Sequence, residues 1–154
     1  MASISQITVH PDSSHAYART SCGRRYQPIE LLVVDNNVSD IYLIRVALAM
    51  EPYPINIRLA TDSNRADQML AGNEYQPDLV IFDVNFAELS NLSLLESIDP
   101  YVPVAVFTSS PTAKNRRIAM DLGVVEYLKK PTHPTEFIDA VLGMVRQWTT
   151  VPVS

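Results

Sequence analysis

Two periodicities alternate along the chain from Ile29 onward. Ile29–Val34 is an apolar run interrupted only at Glu30, as expected for a strand buried on both faces. A helix-period segment follows, with Asn37 or Ser39 able to cap it. Ile41, Ile44, Val46, Leu48 and Ala49 are its expected buried side, and Pro52 and Pro54 end it. Ile55–Ala60 reads as a second strand. Thr61 or Asp62 can cap a helix through Leu70 that stops at Gly72-Asn73. Asp78–Phe82 is a third strand, Leu92–Ile98 a short helix, and Tyr101–Phe107 a fourth strand. Pro111 marks a helix that runs to Leu122-Gly123, Val124–Leu128 is a fifth strand, and Pro134 opens a last helix to Trp148. Strand and helix in strict alternation predict an α/β fold, a doubly wound, five-stranded parallel sheet with helices on both faces. The domain so defined spans 29–148, between an extension at 1–28, expected to be flexible, and a tail at 149–154.

Chemistry sits at the ends of the apolar runs. Asp35, Asp83, Thr108 and Lys130 each fall at the C-terminal end of a predicted strand. In a parallel sheet, adjacent strands bring those ends to one rim. Two carboxylates, a hydroxyl and an ammonium would converge there, a setting for a divalent cation and a phosphoryl group.

Composition narrows the partners. The 154 residues are 47% hydrophobic and 19% charged, with a net charge of -5. An acidic chain of pI near 5.1 is a poor general binder of nucleic acid backbones. No apolar run approaches the roughly 20 residues of a membrane helix. The single cysteine, Cys22, excludes an intrachain disulfide and fits a cytoplasmic setting. Arg24-Arg25 precedes an apolar stretch too short for an export signal.

Four segments then match a known family in order and spacing: Leu31-Leu32-Val33-Val34-Asp35-Asn36-Asn37, Pro77-Asp78-Leu79-Val80-Ile81-Phe82-Asp83-Val84-Asn85, Val102-Pro103-Val104-Ala105-Val106-Phe107-Thr108-Ser109, and Gly123-Val124-Val125-Glu126-Tyr127-Leu128-Lys129-Lys130-Pro131. From Ile29 to Trp148 the chain resembles the receiver domain of two-component response regulators, in particular the stand-alone type paired with bacterial phytochromes. The resemblance implies a flavodoxin-like strand order 2-1-3-4-5 with the site at the switch point between strands one and three. It implies Asp83 as phosphoacceptor, with a sensor histidine kinase or a phosphotransfer protein as donor. Mg²⁺ would be held by Asp35, position 36, Asp83 and the backbone carbonyl of Asn85. Thr108 would donate to a phosphoryl oxygen, with Ser109 leaving room for it. Lys130 would pair with Asp83 at rest, aimed by a cis peptide before Pro131. Tyr127 would rotate into space vacated by Thr108 and so remodel the face of helix four, strand five and helix five. Output would pass to an unidentified downstream protein, and a homodimer through the same face is compatible with the resemblance. Trp148, far down the last helix, is expected to be remote from these events. His133 is expected at a helix start on the surface, and Lys129 in solvent.

The pattern breaks in three places. Asn36 stands where the family places a second acid, so Mg²⁺ is expected to bind weakly. Ala87 replaces a common proline, and Asn91 a glycine, where a turn of positive φ is expected. Asn36 also motivates an alternative, a pseudo-receiver that works as a binding module without phosphorylation. A phosphatase of the haloacid-dehalogenase type is disfavoured, because Asn85 stands where its general acid would be. The chain is therefore expected to be a signalling domain that handles its own phosphoryl group and turns over no separate substrate.

Overall fold

A computed structural model of the chain describes residues 18–19, 25–72, 74–83 and 89–149. Two short strands, β1 (Ala18–Arg19) and β2 (Arg25–Tyr26), pair antiparallel ahead of the main sheet. Most of the expected extension, including Cys22, lies outside the described residues. The main sheet contains β3 (Ile29–Val34), β4 (Ile55–Ala60), β5 (Leu79–Phe82), β6 (Val104–Thr108) and β7 (Glu126–Lys129), all parallel. Their spatial order is β4-β3-β5-β6-β7, which is 2-1-3-4-5 counted within the sheet. The helices are α1 (Val38–Ala49), α2 (Ser63–Leu70), α3 (Leu89–Ser97), α4 (Ala113–Asp121) and α5 (Pro134–Trp148).

Alternation along each strand builds two cores. Leu31, Val33, Leu79, Ile81, Ala105 and Phe107 face α1 and α5, and Phe107 meets Phe137 with ring centroids 5.0 Å apart. Leu32, Val34, Val80, Phe82, Val104 and Val106 face the other way, against α2, α3 and α4. Continuous apolar runs are what a sheet covered on both sides requires. On α1 the buried residues are Ile44, Ala47 and Leu48, whereas Ala49 is exposed. The i, i+3, i+4 stripe excludes position 49.

Boundaries shift where local chemistry intervenes. β6 begins at Val104 rather than Tyr101, because Pro100 and Pro103 have no N–H to give a ladder. Tyr101 is 93% exposed, and the Val102 N–H closes a turn on the Asp99 carbonyl instead. β7 begins at Glu126 because Val124 is spent on ending α4. Gly123 takes φ +92°, its N–H donates to Met120 O, and the Val124 N–H reaches back to Ala119 O. That is a Schellman stop, with Val124 buried as its apolar contact. Asn91 lies inside α3, and among the described residues only glycines have positive φ, so the expected turn is a helix there.

Candidate functional site

The rim of the sheet assembles the predicted residues. Asp35 follows β3, its N–H bonded to Ala60 O at 3.0 Å, and its side chain is 4% exposed. Asp83 follows β5, its N–H on Val34 O at 2.9 Å. Thr108 ends β6 and is buried, with Oγ1 accepting from the Ser110 N–H at 3.2 Å. Lys130 follows β7, its N–H on Thr108 O at 2.7 Å. Its Nζ donates to Asp35 Oδ2 at 2.7 Å and to Asp83 Oδ2 at 2.8 Å. Beside them opens a polar cavity of about 600 Å³, lined by Asp35, Asn36, Asp83, Thr108, Ser109 and Asn91 among others. Asn91 is tied to α2 by a hydrogen bond from Ser63 Oγ.

A third carboxylate was not foreseen. Asp40, in the first turn of α1, accepts from Lys130 Nζ at 2.7 Å. Read as a sequence, Asp40 is one more acid near a helix start. The signal that could have found it is Asn37, whose side chain caps the Asp40 N–H and whose own N–H binds Asp35 Oδ1. Asn37 thus turns the third residue of α1 back toward the strand end.

Three carboxylates against one ammonium leave a formal charge of -2. Burial alone would lower the Lys130 pKa, but the hydrogen bonds it donates to Asp35, Asp40 and Asp83 reverse this and hold it above its ordinary value. Asp35 is also raised, chiefly by burial, against the lowering effect of Lys130 and of the Asn37 N–H. An acid raised in this way adds its full stability below its unfolded value near 3.8 and loses it as pH climbs through the folded value. Ionised Asp35 therefore works against the fold at neutral pH, and a cation beside it relieves that cost. Lys130 has the same sign in a higher window: its contribution is complete below about 10.5 and is lost as pH rises beyond.

Tyr127 is buried, paired with Val106 across β6 and β7. Its Oη accepts from the Thr112 N–H at 3.3 Å, at the start of α4. The Arg116 guanidinium lies 5.8 Å from its ring centroid and donates to its carbonyl at 3.3 Å. The ring already points inward in this structure. Trp148 packs against the core on the α1 and α5 side of the sheet, opposite the one that holds Tyr127, and its Nε1 donates to Glu126 Oε1 at 2.8 Å. His133 caps α5 from the surface, and Lys129 is exposed, as expected. The Lys130–Pro131 peptide is trans, since no cis bond occurs among the described residues; the cis expectation is corrected. In the trans form Lys130 already meets Asp35 and Asp83. Asn85 and Ala87 lie outside the described residues.

The sequence model of the response regulator receiver domain matches residues 31–142. The chain belongs to that family. Receiver domains are signalling domains of two-component systems, and such domains generally bind Mg²⁺ or Mn²⁺ at an acidic pocket. The chain is 28% identical over 125 residues to the response regulator MprA of Mycolicibacterium vanbaalenii, covering 79% of this chain and 52% of that one. It is 26% identical over 121 residues to the transcriptional regulatory protein KdpE of Mycobacterium tuberculosis, covering 77% and 52%. It thus spans about half the length of the curated relatives it matches. Among solved structures, the phosphorylated cyanobacterial phytochrome response regulator RcpA aligns with a TM-score of 0.70 and 26% identity, over 82% of this chain and 99% of that one. The response regulator RPA3017 of R. palustris shares the fold at a TM-score of 0.65 and 20% identity, over 82% and 99%. Among the described residues no helix is long and apolar enough to cross a membrane.

Proposed function

We propose that this receiver accepts a phosphoryl group on Asp83 from a sensor histidine kinase or a phosphotransfer protein, in the cytoplasm, and signals to a downstream protein through the face around Tyr127. The observation that carries the reading is the Lys130 ammonium spanning Asp35 and Asp83 beside a polar cavity that also contains Thr108 and Ser109. A carboxylate attacks phosphorus only when the phosphoryl charge is neutralised, and Lys130 supplies one fixed cation for that purpose. Thr108 Oγ1 would donate to a phosphoryl oxygen. Phosphorylated RcpA, 26% identical, supports the same chemistry here.

The donor set fits a hard divalent cation. Its side-chain donors at the cavity are oxygens, and their net charge is opposite in sign to the ion's. Asp35, Asp83, Asn36 and the Asn85 carbonyl would hold Mg²⁺, with water completing the shell. When bound, the ion would neutralise phosphoryl charge. Asn36 sets its affinity. Two unit charges about 4 Å apart attract by roughly 4 kcal/mol at an effective dielectric near 20, and a divalent ion doubles this. Desolvation of a new carboxylate consumes much of it. Asn36→Asp should still tighten Mg²⁺ binding about tenfold or more by titration calorimetry, and equal affinities would remove Asn36 from the metal site.

Asn36 and the inward Tyr127 ring favour a second reading, a pseudo-receiver whose binding face does not wait for phosphate. Beryllofluoride with Mg²⁺ separates the two. The phosphoacceptor reading expects amide resonances near Thr108 and Tyr127 to shift at saturation. An unchanged spectrum would leave the pseudo-receiver.

A further inference from the structure

We propose that Asp40 is a positioning residue that aims the Lys130 ammonium at Asp83; this rests on the reading of Asp83 as phosphoacceptor. An ammonium has three N–H bonds and no acceptor. Here all three are used, on Asp35 Oδ2 at 2.7 Å, Asp40 Oδ2 at 2.7 Å and Asp83 Oδ2 at 2.8 Å. One anchor leaves an ammonium free to turn about that bond. Two anchors fix the direction of the third N–H.

Asp83 cannot provide this aim, because it is the group that changes. In the transfer, an Asp83 carboxylate oxygen bonds to phosphorus. The bond from phosphorus to the donor breaks, and its electron pair leaves with the donor. Lys130 stays an ammonium, and its third N–H passes from a carboxylate oxygen to a phosphoryl oxygen. The other two anchors must hold meanwhile, and they are built as one unit. The Asn37 N–H donates to Asp35 Oδ1 at 2.8 Å, while the Asn37 side chain accepts from the Asp40 N–H at 3.0 Å. Asp35, Asn37, Asp40 and Lys130 form a closed ring of hydrogen bonds at the start of α1. Position 36 offers no carboxylate, so Asp40 is the acid that this turn of chain adds to the rim.

An acid in the first turn of a helix also complements the helix dipole, which is a purely structural role. The two roles separate at Lys130. The full chain, isotope-labelled, is compared as wild type, Asp40→Asn and Asp40→Glu. Asp40→Asn keeps an acceptor but removes the charge that makes this hydrogen bond strong, and that weakening should speed exchange of the Lys130 ammonium protons roughly tenfold. With acetyl phosphate and Mg²⁺, the rate of phosphoryl gain should fall roughly tenfold while the half-saturating Mg²⁺ concentration stays put. Asp40→Glu should recover at least part of both. Unchanged ammonium exchange, an unchanged rate, or a loss traced to weaker Mg²⁺ binding would each overturn the proposal. If the wild type itself gains no phosphoryl group, the phosphoacceptor reading fails instead, and ammonium exchange still decides whether Asp40 holds Lys130.

Discussion

Incubated with acetyl phosphate and Mg²⁺, the chain gains one phosphoryl group by intact mass, and Asp83→Asn gains none. Three acids touch Lys130, yet their surroundings differ. Asp35 is 4% exposed and has both oxygens engaged, Oδ1 by the Asn37 N–H and Oδ2 by Lys130. Asp40 is 20% exposed but stands on α1 and is not among the residues lining the cavity. Asp83 is 25% exposed, lines the cavity with Thr108 and Ser109, and presents an oxygen beyond the one that Lys130 holds. Of the three acids that touch Lys130, Asp83 alone joins access to a phosphodonor with groups able to receive phosphoryl charge. Asparagine keeps the shape and an acceptor for Lys130 while removing the nucleophile. A phosphoryl group on the Asp83→Asn variant would assign the acceptor elsewhere and defeat the proposed function.

Much of this site was legible in the sequence because the sheet does the placing. Four residues at strand ends need only parallel neighbours to meet, and continuous apolar runs announce such strands. The register that sets Asp83 N–H on Val34 O follows from the same pattern. What was not legible depended on side-chain direction. Asp40 required knowing which candidate caps α1, since Asn37 rather than Ser39 fixes the turn that brings the carboxylate inward. Asn91 was misplaced because a loop and the first turn of a helix look alike when Leu89-Ser90-Asn91 mixes apolar and polar residues. The β6 boundary moved because Pro103 lies inside an apolar run, and that of β7 because Val124, expected to open the strand, instead helps to end α4. The inward Tyr127 ring could not be read at all, because its partners, Thr112 and Arg116, come from a different element.

Lys130→Met should be the most destabilising single change at the rim. It removes the one cation that three carboxylates share and leaves Asp35 buried and unpaired. Breaking a buried ion pair from one side costs about 3–5 kcal/mol. Asp40 and Asp83 are partly exposed, and water screens them, so the lower end applies, about 3 kcal/mol. For a domain of this size that lowers the melting temperature by roughly 10 °C, measured in chelator. Added Mg²⁺ should recover more of the loss in the variant than it adds to the wild type, because a free cation can stand where the ammonium stood. The pH dependence that Asp35 brings should steepen without changing direction. Asp35 is already raised by burial and loses the lowering effect of Lys130, so stability should grow more strongly as pH falls from neutral and a proton replaces the missing charge. A variant that melts within about 2 °C of wild type, with the same pH profile, would show that water rather than Lys130 keeps these carboxylates apart.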